Sequence, residues 1–145
     1  MAVTDITSAN ATVLIQVEGV IPVPTQLNHF STDGIAQAGA FTVAEARMGV
    51  DGYLAAGQTP KPVELTITLE ANTPSERLLD SISKAMSGER TIFNVTITIR
   101  VPALKSTFVY TDGVLIDGVA MNNLGATIDK SAWKFMFAKV ERQNY

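Results

Sequence analysis

The chain has 145 residues, 46% of them hydrophobic, with 11 basic against 14 acidic side chains and a net charge of −3. That length suffices for one well-buried core and is short for two, so a single domain over residues 1–145 is expected. The acidic balance argues against a surface that holds nucleic acid by counterion release, and the absence of cysteine excludes disulfides, thiolate nucleophiles and sulfur-ligated metals.

The first ten residues carry no basic region followed by an apolar run, so a cleaved secretion signal is not expected. No later segment is long and apolar enough to span a bilayer, and no membrane insertion is expected. Residues 12–18 alternate, with Val13, Ile15 and Val17 on one side, which is the two-residue period of a pleated strand. Pro22 and Pro24 mark residues 21–27 as an edge strand or a loop rather than a central strand. The single histidine, His29, has no second histidine or cysteine with which to anchor a metal or build a nucleophile and base pair, which leaves it a structural or surface role. Phe41 and Val43 open a strand ending near Gly49, residues 53–55 are its short return, and residues 57–62 form a turn-rich lead into the next strand.

Val63, Leu65, Ile67 and Leu69 then fall on one face and Glu64, Thr66, Thr68 and Glu70 on the other, so one side is core and the other wet. A helix follows at once. Thr73 can cap the free amides of its first turn, Pro74 supplies a preset φ, and Glu76 completes a capping box. Leu78, Leu79, Ile82, Ala85 and Met86 form a single apolar stripe, and Gly88 stands where a left-handed terminal residue is wanted. Phe93, Val95, Ile97, Ile99 and Val101 oppose Ile92, Asn94, Thr96, Thr98 and Arg100, the same threonine-lined alternation, so these two strands read as partners. Residues 108–110, 114–119 and 133–140 complete the antiparallel strands, with Asp33-Gly34, Asp51-Gly52, Asp112-Gly113 and Asp117-Gly118 as turns. The pattern predicts a mostly β fold, an antiparallel β-sandwich or partly open β-barrel with one packed α-helix.

The last strand is apolar on both faces: Trp133, Phe135 and Phe137 on one, Met136, Ala138 and Val140 on the other. Two explanations are open, a central strand between sheet and helix, or a strand that meets a neighbouring subunit.

Motifs for chemistry are scarce. Glu64 and Glu70 share a strand face but lie too far apart for a paired acid and base of the glycosidase kind. The Asp-Gly pairs lack the spaced oxygen ligands of a calcium loop, and neither a phosphate-cradling Gly-Lys-Ser/Thr loop nor a dinucleotide glycine fingerprint occurs. The expectation is a protein that works by shape and assembly, not an enzyme, with no cofactor and no metal.

Three stretches, read in order, carry a family resemblance. These are Val13-Leu14-Ile15-Gln16-Val17-Glu18-Gly19, then Glu45-Ala46-Arg47-Met48-Gly49-Val50-Asp51-Gly52 before a hairpin, then the alternating strand from Leu65 running into the Thr73-Pro74-Ser75 helix start. Their order resembles the tail tube proteins of long-tailed bacteriophages, especially those with contractile tails. The sequence departs from that pattern at Glu76-Arg77, where an Asn or Asp is expected.

The resemblance implies a structural virion protein, assembled in the host bacterial cytoplasm. Its hexameric rings would stack into a tail tube that conducts DNA during infection. Implied partners are further copies of the chain, a tail sheath protein and tube-terminating proteins, with DNA passing but not specifically bound. Glu64, Thr66, Thr68, Thr96 and Thr98 are candidates for the lumen wall, since a polar face with few cations would let a polyanion move without sticking. Within an extended loop at residues 49–62, Gly49, Asp51, Gly52, Tyr53, Gln58 and Lys61 are candidates for ring stacking, and Trp133, Phe135 and Phe137 for the subunit interface. Alternatives are the tube of a related contractile injection machine, a bacteriocin or type VI secretion system, and a small β-sandwich module binding carbohydrate or peptide. The last would need an aromatic cluster around a groove, and Tyr53, Tyr110 and Trp133 are scattered in sequence.

Overall fold

The computed structural model describes residues 10–28, 30, 34–40, 42–58 and 60–144; His29, Asp33 and Phe41, assigned roles above, lie outside them. In chain order the described elements are β1 (Thr12–Val17), β2 (Ile21–Leu27), β3 (Ala36–Ala38), β4 (Glu45–Met48), β5 (Leu54–Gly57), β6 (Val63–Leu69), α1 (Pro74–Glu89), β7 (Val95–Val101), β8 (Ser106–Asp117) and β9 (Ser131–Asn144). Seven strands form one antiparallel sheet in the order β2-β1-β7-β8-β9-β6-β3, while β4 and β5 pair apart from it. β2 is an edge strand with Pro22 and Pro24 exposed, as an edge permits, because proline has no N–H to give a ladder. β6 and β7, expected as partners, are not neighbours: β6 lies between β9 and β3, β7 between β1 and β8. Pairing between distant strands leaves no mark on their alternation, so matching patterns did not identify matching edges.

The long β8–β9 hairpin joins these two groups and bends between them. Buried positions change parity between Tyr110 and Gly113 on β8, and between Phe137 and the partly buried Val140 on β9. The two strands nevertheless stay in register, Tyr110 opposite Val140 and Gly113 opposite Phe137. β7 does not follow the bend. Val95 faces Gly113 and Ile97 faces Tyr110, so Thr96 alone opposes both Thr111 and Asp112. Asp112 takes φ 55, and the Asp112-Gly113 pair expected to end a strand is a bulge within a continuous one. A bulge sharpens local twist and lets one sheet turn a corner and face itself.

The core lies inside that corner. Val13, Ile15, Ile97 and Tyr110 from the β1–β7–β8 half meet Leu65, Ile67, Phe135 and Phe137 from the β9–β6 half in one apolar cluster, joined by Leu79 and Ile82 of α1. Closure is incomplete: a cavity of about 250 Å³ remains between Ile35, Ala36 and Leu65 on one side and Ile99, Phe108 and Tyr110 on the other. The fold is the expected antiparallel β architecture with a packed helix, and its barrel is open.

The helix starts where its local sequence dictates. Asn72, at φ 59, turns the chain out of β6, and the Glu76 N–H donates to Thr73 Oγ1 at 3.4 Å. The Thr73 hydroxyl donates to the Glu70 carbonyl at 3.0 Å, tying cap to strand. The reciprocal bond of the capping box is displaced by one residue: the Glu76 carboxylate accepts from the Asn72 N–H at 2.8 Å. Ser75 Oγ accepts the Asn28 N–H at 2.8 Å, which fastens the helix start to the end of β2. At the other end α1 runs past Gly88 to Glu89, and Arg90 takes the left-handed position at φ 52 in place of the expected glycine.

Candidate assembly surfaces

The outward side of the sheet differs between its two halves. On β6, Glu64, Thr66 and Thr68 are partly exposed and stand opposite Met136, Lys134 and Ala132 of β9. Lys134 Nζ lies 3.2 Å from the Glu64 carboxylate, so the lysine on this face is matched by a carboxylate two positions along the neighbouring strand. On β7, Thr96 and Thr98 stand opposite Gln16 and Leu14 of β1, and Thr98 also faces Val109 of β8. β8, β9 and the corner separate Thr98 from Thr66. The five residues expected on one lumen wall therefore form two groups on different halves of the fold.

Sequence reasoning passed over Lys134, although the alternation of Trp133, Phe135 and Phe137 already placed it on the outward face. Met136, expected on the second apolar face of its strand, stands on that side opposite Val114.

Expected at a subunit interface, Trp133, Phe135 and Phe137 are 1%, 0% and 1% exposed in the single chain. They are core, beyond the reach of a second subunit. β9 is an interior strand, and the Trp133 indole N–H donates to Ser131 Oγ at 3.1 Å, so its polar atom is satisfied inside the chain. Tyr110 packs with its ring 5.2 Å from that of Phe137, and its burial raises the phenol pKa above the ordinary value of 10.0.

The β4–β5 hairpin is the opposite case. Every residue of both strands is exposed. Its tip is tight: Gly49 N–H donates to the Tyr53 carbonyl at 2.9 Å, Gly52 N–H to the Gly49 carbonyl at 3.0 Å, and Tyr53 N–H to Asp51 Oδ1 at 3.2 Å. Gly52 sits at φ 83, where a side chain would be strained. The loop expected over residues 49–62 thus holds a hydrogen-bonded tip followed by β5 at residues 54–57. Gly49, Asp51, Gly52 and Tyr53 belong to the tip. Gln58 and Lys61 lie beyond the hairpin's returning strand, where Lys61 pairs with Glu45 at 3.2 Å. The strand expected from Phe41 begins only at Glu45.

Large apolar side chains stand on this hairpin in the open. Met48 is 68% exposed, Tyr53 74%, Leu54 59%, and Val50 fully so. The signal in the sequence was the apolar Met48 and Val50 around a turn that should be polar. Among the described residues no group of three or more His, Asp or Glu side chains is placed to hold a metal, and no helix is long and apolar enough to cross a membrane.

A family model described as tail fiber protein gp32 matches residues 4–141. No curated protein matches the chain in sequence. Among solved structures, a chain of the anti-feeding prophage baseplate, 6-fold symmetrised, is similar with a TM-score of 0.68 at 12% identity, covering 99% of this chain and 98% of that one. A chain from the sheath/tube terminator of an extracellular contractile injection system in its extended state gives 0.62 at 12% identity, covering 98% and 99%. One from the sheath–tube complex of such a system gives 0.55 at 14% identity, covering 92% and 88%. At these identities the likeness is one of fold.

Proposed function

The chain belongs to the tail fiber protein gp32 family, a family of structural tail components, and from that premise we propose that it is a ring-forming subunit of a tail tube. In this reading six copies close a ring, rings stack into a tube, and DNA passes through without specific binding. The rings would meet a sheath outside and terminator proteins at the ends, and the particle that carries them would be a virion tail. The observation that carries the reading is the β4–β5 hairpin. A two-stranded hairpin is marginal alone in water, and this one exposes Met48, Val50, Tyr53 and Leu54 together. Such a patch marks a surface for contact with another protein. A neighbouring ring is the cover that the tube reading supplies, and the tip residues Gly49, Asp51, Gly52 and Tyr53 are the proposed stacking contacts.

A second reading keeps the ring and changes its place, to one end of a tube. The fold likeness to a baseplate chain and to a terminator chain, each above that to the sheath–tube chain, supports it. A tube of a non-phage injection machine would share the same architecture. Negative-stain microscopy of the purified chain tests all of these. Stacked rings of indefinite length support the tube subunit, discrete rings that never stack support the end position, and a strictly monomeric species at every salt and concentration defeats both.

A further inference from the structure

We infer that the wall of the conduit is the outward face of the β1–β7–β8 half, and that the outward face of β6, with Thr66 and Thr68, is not part of it. This inference rests on the tube reading and sharpens it. The corner at Thr111 and Asp112 folds one half of the sheet over the other, so their outward faces lie on different flanks of the subunit and one cylindrical wall cannot take both.

The two faces differ in chemistry. Across the first half, cross-strand rows read Thr12 beside Arg100 beside Thr107, and Leu14 beside Thr98 beside Val109, with Gln16 beside Thr96 ending at the bulge. On β9 the same face continues with Gln143 opposite Thr107, Glu141 opposite Val109 and Lys139 opposite Thr111, and Lys139 pairs with Glu141 at 3.3 Å. Apart from Leu14, Val109, Arg100 and that ion pair, the rows are a lattice of hydroxyls and amides. Arg100 is the one basic side chain on β1, β7 and β8, and it is engaged by a further contact. A face made mainly of neutral hydrogen-bonding groups, with Lys139 matched by Glu141, keeps water on its surface and offers a passing phosphate backbone little net attraction, which is what transit without retention requires.

The β6 side reads differently. Glu64 stands beside Met136, itself beside Val114, while Thr68 stands beside Ala132. Ile116, on the same strand as Val114, is 41% exposed. This apolar strip, flanked by the Glu64–Lys134 ion pair, would leave hydrocarbon against a water-filled channel, and it has the makeup of a surface turned toward protein.

The sequence has no cysteine, so single-cysteine variants report without background. Thr98→Cys and Thr66→Cys subunits, and Thr96→Cys as a second probe of the first face, are each co-assembled at low fraction with wild-type chain so that a poorly assembling variant is still carried into tubes. The tubes are treated with a small maleimide and with a maleimide joined to a long polyethylene glycol chain. The expected result is that the thiols at positions 98 and 96 react with the small reagent and are shielded from the large one only in assembled tubes, while the thiol at position 66 does not follow that pattern. If the thiol at position 66 shows the pattern and those at 98 and 96 do not, or if all three behave alike, the assignment is overturned. A wild-type chain that never forms tubes defeats the tube reading itself and removes this inference with it, an outcome seen before any labelling is done.

Discussion

Phe137 lies directly across the ladder from Gly113, with its ring over the glycine's Cα, and a methyl group added there would sit inside the ring. Phe137 is buried and also stacks near Phe135 at 6.1 Å between ring centroids, so it has little room to withdraw. Gly113→Ala is therefore expected to destabilise the subunit by about 1–3 kcal/mol through overpacking. Phe137→Leu in the same background should relieve part of that cost. Thermal melts of the two single variants and the double variant check this: strictly additive losses would mean that the two positions do not compete for space.

Thr73 makes two bonds, accepting from Glu76 and donating to Glu70. Thr73→Ala should cost about 1 kcal/mol, the usual value of a hydroxyl cap. Thr73→Ser, which keeps both bonds, should cost less. Urea denaturation of the three proteins is the measurement, and equal midpoints for alanine and threonine would show that the cap contributes nothing.

The start of α1 could be read from the chain because everything it needs lies within a few residues, Thr73, Pro74 and Glu76. That residues 21–27 are not a central strand followed from Pro22 and Pro24 for the same reason, with an edge strand and a loop both left open. The corner could not be read. It depends on Asp112 adopting a left-handed backbone while β8 keeps its pairing with β9, and that choice is set by strands far away in sequence. Locally, Asp112-Gly113 has the composition of a turn. The corner also bears on the proposed function: without it Thr66 and Thr98 read as one face, and with it they lie on different halves of the sheet. Trp133, Phe135 and Phe137 were visible as an apolar stripe, but a stripe does not say whether its own chain or another covers it.

Tyr110 carries the pH dependence that the core predicts. Burial holds its phenol above the ordinary value, so the folded state keeps the proton after the unfolded chain has begun to lose it. The unfolded state then binds fewer protons, and stability falls as pH rises. The contribution is complete below about pH 10 and declines from there upward, toward the folded-state pKa. Tyr110→Phe should leave stability at neutral pH nearly unchanged and flatten the alkaline decline. Denaturation midpoints between neutral and strongly alkaline pH decide it, since an identical decline in both proteins would assign the effect to other groups.

The hairpin prediction separates folding from assembly. Met48, Val50, Tyr53 and Leu54 contribute almost nothing to the core of their own chain, because all four are exposed and none belongs to the apolar cluster. Replacing Val50 and Tyr53 together with serine should thus shift subunit stability by no more than about 0.5 kcal/mol, the range typical of surface changes. Those two side chains are the most exposed apolar groups at the tip, so their loss should fall on the contact between rings. The expected outcome is a normal melting curve, rings that still close, and stacking that needs higher protein concentration or fails. Light scattering with electron microscopy reads the stacking, and circular dichroism the fold. Tubes of ordinary length from the doubly substituted chain would show that the hairpin is covered by something other than a neighbouring ring.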